Sequence, residues 1–181
     1  MKFTQTHLEG LWLIELEPRE DTRGAFARTY CEQEFAAHGL NTRWVQCNST
    51  LTRQRGSLRG LHYQAKPHPE IKLIRCIAGH VQDVVVDIRK SSPTYGQHAS
   101  FELSSTNARQ LYVPEGFAHG FQCLENDCEL FYQMSAFYHA ELARGVNWSD
   151  PALKIQWPLE VADLSDRDID LPLLSALDHD S

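Results

Sequence analysis

The sequence predicts an all-β fold, either a sandwich or a jelly roll. Hydrophobic residues alternate with polar ones in several runs, and these runs are short and rich in β-branched and aromatic residues. They also recur at a spacing of roughly ten residues, which is typical of all-β sandwiches and barrels. A chain of 181 residues that is 42% hydrophobic can bury a core, so we expect residues 1–181 to form one domain.

In the first half of the chain the sequence LWLIELEP (Leu11–Pro18) predicts a strand. One helix is predicted over Cys31–Gly39, where a glycine ends the helical pattern. Two β-rich runs, Ile71–Ala78 and Val81–Arg89, meet at the dipeptide Gly79-His80. This dipeptide predicts a tight turn between the two strands.

In the second half four short runs predict further strands: Ala99–Ser105, Arg109–Pro114, Gly120–Leu124 and Cys128–Met134. The pattern changes from about Leu153 onward. The sequence LSDRDIDLPLLSAL (Leu164–Leu177) predicts a short helical tail that lies over the barrel.

Charge and composition exclude several classes of partner. The formal net charge of −7 argues against a general nucleic-acid surface, which needs clustered Lys and Arg, but a few arginines can still hold a small anion. The five cysteines form no C-x-x-C pair, and the chain begins without a signal-peptide pattern, so we expect reduced thiols in a cytoplasmic protein. No apolar run approaches the ~18 residues of a membrane span.

Two motifs resemble the metal-binding motifs of cupins. The sequence PEGFAH (Pro114–His119) fits P-x-G-x-x-H, and Gly56–Gln64 fits G-x5-H-x-H except that Gln64 replaces the second histidine. A metal cupin uses about three histidines and one glutamate, and transition metals need such a converging set. Only His62 and His119 remain here, so we expect no bound metal.

Nine motifs resemble, in order and spacing, those of dTDP-4-dehydrorhamnose 3,5-epimerases. They are DTRGAF, QCNST, LRGLHYQ, KLIRCIAGHV, VDIRKSSPTYG, VPEGFAHGF, FYQ, GVNWSDP and LSDRD. The resemblance implies a cupin-type jelly roll (a double-stranded β-helix barrel) with a few short peripheral helices. It further implies a homodimer with shared active sites, no metal or cofactor, and epimerisation of a nucleotide-linked 4-keto-6-deoxy sugar.

The resemblance also implies four catalytic residues. A ketone at C4 makes the hydrogens on C3 and C5 acidic, so inversion needs a base, an acid on the opposite face and a cation near the enolate oxygen. His62 matches the base, Asp168 the carboxylate that orients it, and Tyr132 the acid, while Lys72 matches the cation. Each has an ordinary structural alternative: a surface or satisfied core histidine for His62, a capping box with Ser165 for Asp168, core packing for Tyr132, and a solvated strand end for Lys72.

A second set of residues is expected to bind the substrate. Arg59 matches a diphosphate ligand, with Gly60 allowing a close turn before His62. Arg23 matches a second phosphate ligand and Phe26 an aromatic that stacks on the base, both supplied by the neighbouring subunit; the alternative for Arg23 is a turn residue. Polar contacts to the nucleotide or sugar are expected from Gln46, Asn48 and His119.

Four residues depart from the family pattern. Arg28 and Ala143 replace glutamates in the nucleotide-contacting part, Arg167 replaces a lysine beside Asp168, and Gln133 replaces a lysine after Tyr132. We keep Arg28 and Arg167 among the predicted substrate-binding residues. The loss of acidic acceptors leaves a CDP-linked sugar as the alternative to a dTDP-linked one, and a metal-dependent cupin isomerase or oxygenase and a non-catalytic binder remain as alternative classes.

Overall fold

The computed structural model describes residues 1–177. This part of the chain contains thirteen β-strands: β1 (Lys2–Gln5), β2 (Trp12–Glu15), β3 (Arg19–Asp21), β4 (Gly24–Phe26), β5 (Gln46–Thr52), β6 (Leu58–Gln64), β7 (Lys72–Ala78), β8 (His80–Asp87), β9 (His98–Ser104), β10 (Arg109–Val113), β11 (Phe117–Cys123), β12 (Cys128–Met134) and β13 (Ala143–Gly145). The helices are short: α1 (Glu32–Ala37), α2 (Asp166–Ile169) and two 3-10 turns, Ala140–Leu142 and Leu174–Ala176. The predicted all-β fold with short peripheral helices is confirmed.

The strands form two antiparallel sheets that face each other. The first sheet has six strands in the order β1-β2-β10-β7-β12-β5, and the second has five in the order β13-β6-β11-β8-β9. Consecutive strands repeatedly change sheet, as β7 to β8 and β11 to β12 do. This crossing between two packed sheets is the predicted jelly roll.

The tight turn predicted at Gly79-His80 is present, but it does not close a hairpin. The chain does turn at Gly79, whose φ is +77°. However, β7 pairs with β10 and β12 in the six-stranded sheet, while β8 pairs with β9 and β11 in the five-stranded sheet. The turn therefore carries the chain across the barrel instead of closing a hairpin.

Strand β8 shows how alternation divides the two faces of a sheet. Val81 and Val85 belong to the core between the sheets, whereas Val84 and Val86 lie in a second apolar cluster on the outer face of the five-stranded sheet. Asp83 follows the inward alternation and is completely buried. A carboxylate therefore lies within an otherwise apolar interior.

Each sheet also has a covered outer face. Phe35 of α1 packs with Ile14, Leu73 and Tyr112 against the six-stranded sheet. The C-terminal tail covers the five-stranded sheet, where Leu174 and Leu177 join the outer cluster. The predicted tail over the barrel is confirmed, and its docking brings α2 against β6.

Strands β3 and β4 form a separate two-stranded arm. All six of its residues are exposed. Without a buried face the arm has no hydrophobic alternation, which explains why the sequence pattern does not predict it. Among residues 1–177, no helix is long and apolar enough to span a membrane.

Candidate active site

A β-bulge places Arg59 and His62 on the same pocket. In the pairing of β6 with β11, His62 is opposite His119 and Arg59 is opposite Phe121, so two residues of β6 face the single residue Gly120. Residues three apart on a regular strand point to opposite faces, and the extra residue cancels this alternation. The guanidinium and the imidazole can therefore act on one ligand.

Gly60 makes this bulge possible. Its φ is +129°, a conformation that L side chains rarely adopt, and a Cβ on Gly60 would lie 2.5 Å from the Cα of Gly120. The expected close turn between Arg59 and His62 is thus present. The backbone N–H of Gly60 also donates to Oδ2 of Asp168 over 3.1 Å.

Asp168 comes from the C-terminal tail and contacts His62 without itself lining the pocket. Its Oδ1 lies 2.6 Å from Nε2 of His62, and its side chain is only 4% exposed. Ser165 caps α2, because its hydroxyl accepts the backbone N–H of Asp168. The capping role and the contact with His62 therefore coexist on the same helix.

The surroundings of Asp168 keep it ionised. Burial by itself raises the pKa of this carboxyl, but the hydrogen bonds from His62, the Gly60 N–H and Ser165 outweigh burial and lower the pKa. A carboxylate at Nε2 favours the His62 tautomer with hydrogen on Nε2, which leaves Nδ1 unprotonated. Such an imidazole is equipped to remove a proton.

Tyr132 enters the same pocket from the opposite sheet, on β12. It packs against the core between the sheets, as the structural alternative suggested, yet it also lines the pocket. Burial raises the pKa of its phenol, so the hydroxyl keeps its proton at neutral pH. The rings of His119 and Tyr132 pack edge to face, with their centroids 6.1 Å apart.

His119 forms a second histidine–carboxylate pair at the inner end of the pocket. Its Nε2 lies 2.7 Å from Oδ2 of Asp83. Burial raises the pKa of Asp83, an effect that His119 only partly offsets. The other oxygen, Oδ1, has no hydrogen-bond partner among the described residues. Asp83 was not among the predicted site residues, although a carboxylate within a run of valines was a usable signal.

Lys72 is buried and does not form a solvated strand end. Its Nζ lies 3.1 Å from Oε1 of Glu70 and donates to the carbonyl of His62 over 3.1 Å. An ammonium in this position lies beside the backbone of His62. Glu70 had no signal in the sequence other than its position two residues before Lys72.

The pocket holding these residues has a volume of about 290 Å³. The predicted residues that line it are Gln46, Asn48, Arg59, His62, Lys72, His119, Tyr132 and Arg167. Other residues that line the pocket were not predicted, among them Ser49, Glu70, Met134 and Tyr138. Tyr138 lies in a loop without periodic pattern, so no local signal identified it.

Three predicted binding residues lie outside this pocket. Arg23 and Phe26 belong to the exposed arm, and Arg23 is bound by Asp21 through its guanidinium and its backbone N–H. Arg28 forms an ion pair with Glu34 of α1, with Nη1 and Oε1 2.7 Å apart. Within one chain Arg23 is thus a turn residue, and Arg28 is already neutralised.

Gln64 occupies the position of a cupin metal ligand but makes other contacts. Its Nε2 donates to the carbonyls of His68 and Phe137, and its Oε1 accepts the His139 N–H. Within residues 1–177, no three His, Cys, Asp or Glu side chains converge as a metal site would require.

Comparison with known proteins supports the resemblance found in the motifs. A family model described as dTDP-4-dehydrorhamnose 3,5-epimerase matches residues 5–176. The enzyme of that name from Methanothermobacter thermautotrophicus is 44% identical over 162 residues, which cover 90% of this chain and 86% of that protein. The chain belongs to the dTDP-4-dehydrorhamnose 3,5-epimerase family.

Solved structures of this family share the jelly roll. The dTDP-6-deoxy-D-glucose-3,5-epimerase of Legionella pneumophila, crystallised with dTDP-4-keto-L-rhamnose, superposes with a TM-score of 0.92 at 38% identity, covering 98% of this chain and 94% of that one. A 3′-monoepimerase from Streptomyces bikiniensis, in complex with dTDP-quinovose, has a TM-score of 0.88 at 33% identity, covering 94% and 86%. One fold therefore serves both double and single epimerisation.

Proposed function

We propose that this member of the epimerase family converts dTDP-4-dehydro-6-deoxyglucose to dTDP-4-dehydrorhamnose. The observation that carries the proposal is the His62–Asp168 pair, which shares one pocket with the phenol of Tyr132 on the opposite sheet. Inversion at a carbon requires a base and an acid on opposite faces of it. A pocket between two sheets that presents one group from each meets this requirement.

The first half of the reaction falls to His62. Its Nδ1 takes the proton from the carbon next to the ketone, and the electron pair of the broken C–H bond moves into the enolate, whose negative charge lies on the C4 oxygen. Asp168 stabilises the imidazolium that forms. Lys72 supplies positive charge for the enolate oxygen, because its ammonium is held beside His62 by Glu70.

The second half falls to Tyr132. Its phenol keeps its proton at neutral pH and donates that proton to the opposite face of the enolate carbon. The new C–H bond restores the ketone with inverted configuration, and solvent then resets His62 and Tyr132. The same steps at the second carbon complete a double epimerisation.

The remaining predicted residues bind the nucleotide part. We assign the diphosphate to Arg59 and Arg167, since both cations line the pocket. Gln46 and Asn48 contribute polar contacts from β5, and His119 contacts the sugar. We further propose a homodimer in which each arm delivers Arg23 and Phe26 to the partner's pocket, because an exposed arm with a 75% exposed phenylalanine has no covering surface in its own chain.

The proposal also includes a metal-free reaction in a single domain. The Gln64 amide is committed to backbone groups, so the histidine pair lacks the further ligands of a metal cupin. Metal analysis of active protein checks this point. The five free cysteines accord with a cytoplasmic location, which we propose for the whole 1–181 domain.

The decisive experiment is incubation with dTDP-4-dehydro-6-deoxyglucose in deuterated water, followed by NMR. We expect deuterium at both C3 and C5 and the appearance of dTDP-4-dehydrorhamnose. Deuterium at C3 alone would make the protein a monoepimerase. Absence of exchange at both carbons, with dTDP still bound, would support the non-catalytic alternative.

A further inference from the structure

Two glutamines hold the backbone of the segment that carries Tyr138 to the pocket. Three consecutive residues take part: the Phe137 carbonyl accepts from Gln64 Nε2 (3.0 Å), the Tyr138 N–H donates to Gln46 Oε1 (3.2 Å), and the His139 N–H donates to Gln64 Oε1 (2.8 Å). Gln46 lies on β5 of the six-stranded sheet and Gln64 on β6 of the five-stranded sheet. The segment Phe137–His139 is therefore bound to both walls of the pocket.

Gln64 lines the pocket, but both N–H groups of its side-chain amide and one lone pair of its oxygen are used in contacts with the backbone. It is buried, and the second N–H of its amide donates to the His68 carbonyl over 2.6 Å. Both donors and the acceptor are thus paired with backbone groups of two loops. The His68 and His139 rings, one from each loop, stack with centroids 4.4 Å apart.

The segment Phe137–His139 contributes the side chain of Tyr138 to the pocket. This ring is 58% exposed and lines the pocket beside Gln46, so it is available to a bound ligand. An exposed ring on a loop contributes to binding only if the loop is held in place, because ordering a free loop costs conformational entropy. The hydrogen bonds of Gln64 remove that cost before the ligand arrives.

We propose that Gln64 is a positioning residue, which fixes Tyr138 for nucleotide binding and takes no part in proton transfer. The inference rests on the proposed function, since the nucleotide is the ligand whose affinity it explains. Gln64 acts through the backbone of Phe137 and His139, and its effect is therefore expressed in affinity for dTDP and not in the rate of the chemical step.

The test is a double-variant cycle with Gln64→Leu and Tyr138→Ala, read by calorimetry with dTDP at one salt concentration. Gln64→Leu should weaken dTDP binding tenfold or more, while deuterium exchange at saturating sugar nucleotide falls less than threefold. Because Gln64 acts through Tyr138, the double variant should bind no more than twofold more weakly than the weaker single variant. Unchanged affinity of Gln64→Leu, or fully additive effects, would overturn the proposal.

Gln122→Leu is the matched control. Gln122 is also a buried glutamine, and its side chain forms hydrogen bonds with the backbone of Gly56 and Leu159. It does not line the pocket. This variant should lower the melting temperature yet keep dTDP affinity within twofold of wild type. Equal weakening by Gln122→Leu and Gln64→Leu would show a general loss of stability and contradict a specific role for Gln64.

Two further measurements separate failure of this proposal from failure of the proposed function. If Gln64→Leu does not fold, Gln64→Glu retains the acceptor for the His139 N–H and should weaken dTDP binding to an intermediate degree; wild-type affinity in Gln64→Glu would overturn the proposal. Amide hydrogen exchange of His139 needs no ligand, and its protection should be lost in Gln64→Leu. If the wild-type protein neither bound dTDP nor exchanged deuterium, the proposed function would be wrong. If the His139 amide stayed protected in Gln64→Leu, the role of Gln64 would be refuted, whatever the function.

Discussion

Nε2 of His62 lies 2.6 Å from Oδ1 of Asp168, although 106 residues separate the two along the chain. The same carboxylate accepts the Gly60 N–H through its other oxygen. Asp168 is thus fixed at two points, and one of them belongs to the bulge that aims His62 at the pocket. The geometry makes the tautomer of His62 depend on a residue of the tail.

Replacing Asp168 by asparagine should therefore leave His62 in place but in a tautomer that cannot act as the base. The carboxamide oxygen can keep the Gly60 N–H, which turns its NH₂ toward His62 and forces the hydrogen onto Nδ1. We expect the rate of deuterium exchange in Asp168→Asn to fall on the order of 10²–10⁴-fold, with dTDP binding within a few-fold. His62→Ala should abolish exchange, also with nucleotide binding retained.

Ser165→Ala is the control for this pair, because it removes the helix cap and leaves both members in place. Its cost in stability should be about 1 kcal/mol, with exchange nearly normal. Near-normal exchange in His62→Ala would contradict the assignment of the base.

Tyr132→Phe should separate exchange from inversion. The phenol acts only after the enolate has formed, so His62 can still remove and return a proton on its own face. We expect deuterium incorporation to outlast net inversion at one carbon at least, measured by NMR on the same sample. An equal fall of both rates, or no change in either, would rule out Tyr132 as the acid.

The shared active site can be tested by complementation between two inactive variants. In a mixed dimer of His62→Ala and Arg23→Ala, one pocket combines an intact His62 with an intact arm from its partner. Co-expression with two tags should therefore restore activity in the mixed species, although each parent homodimer is impaired. Activity no higher than the parents, or a fully active monomer at micromolar concentration, would show that the arm does not act across subunits.

The preference for thymine or cytosine in the nucleotide is expected to follow from the ion pair that Arg28 forms with Glu34. Its ion pair with Glu34 leaves it a poor free donor to cytosine, and Glu34 keeps a carboxylate in this region. We expect dTDP to bind at least tenfold more tightly than CDP, about 1.4 kcal/mol, by calorimetry at one salt concentration. Tighter binding of CDP would favour the CDP-linked alternative instead.

Acid stability should depend on Asp87, a buried residue outside the pocket. Burial by itself raises the pKa of this carboxyl, but hydrogen bonds from Arg89, Ser92 and Thr94 outweigh burial and lower it. A group whose pKa is lower in the folded protein contributes stability above its unfolded pKa of about 3.9, and this contribution is lost as pH falls through the folded pKa.

The variant Asp87→Asn should accordingly lower the free energy of unfolding by about 3 kcal/mol at neutral pH and flatten its decline in acid. Denaturant titrations across pH measure both effects. Asp127→Asn, which touches only an exposed pair with Arg53, serves as the control and should change neither. An unchanged acid limb in Asp87→Asn would refute the prediction.

The strands and the tail were predictable because burial of one face leaves a periodic trace. The run of valines predicted strand β8, but valines lie on both of its faces, so the pattern did not identify Asp83 as an inward residue. Strand pairing left no such trace: the tight turn at Gly79 was predictable, but not that it carries the chain from one sheet to the other. Periodicity shows which face is buried but not which strand lies alongside.

The grouping of His62, Tyr132 and Lys72 around one pocket was predictable only through the family motifs. Nothing local connects His62 with Asp168, since the contact depends on docking of the tail. Gln64 was interpreted as a failed metal ligand, and its actual partners are backbone groups of His68, Phe137 and His139, which carry no mark in the sequence. Contacts between a side chain and a backbone group that is remote in the sequence could not be predicted from the sequence.

The docking of the tail also sets an order of events during synthesis. Every strand of the two sheets lies within residues 2–145, whereas the carboxylate that completes the His62 pair comes only at residue 168. A chain emerging from the ribosome can therefore assemble its barrel while His62 still lacks the partner that selects its tautomer. The strands of the barrel thus precede in the chain the residue that pairs with His62, and the tail that carries this residue is anchored by Leu174 and Leu177 in the outer cluster of the five-stranded sheet.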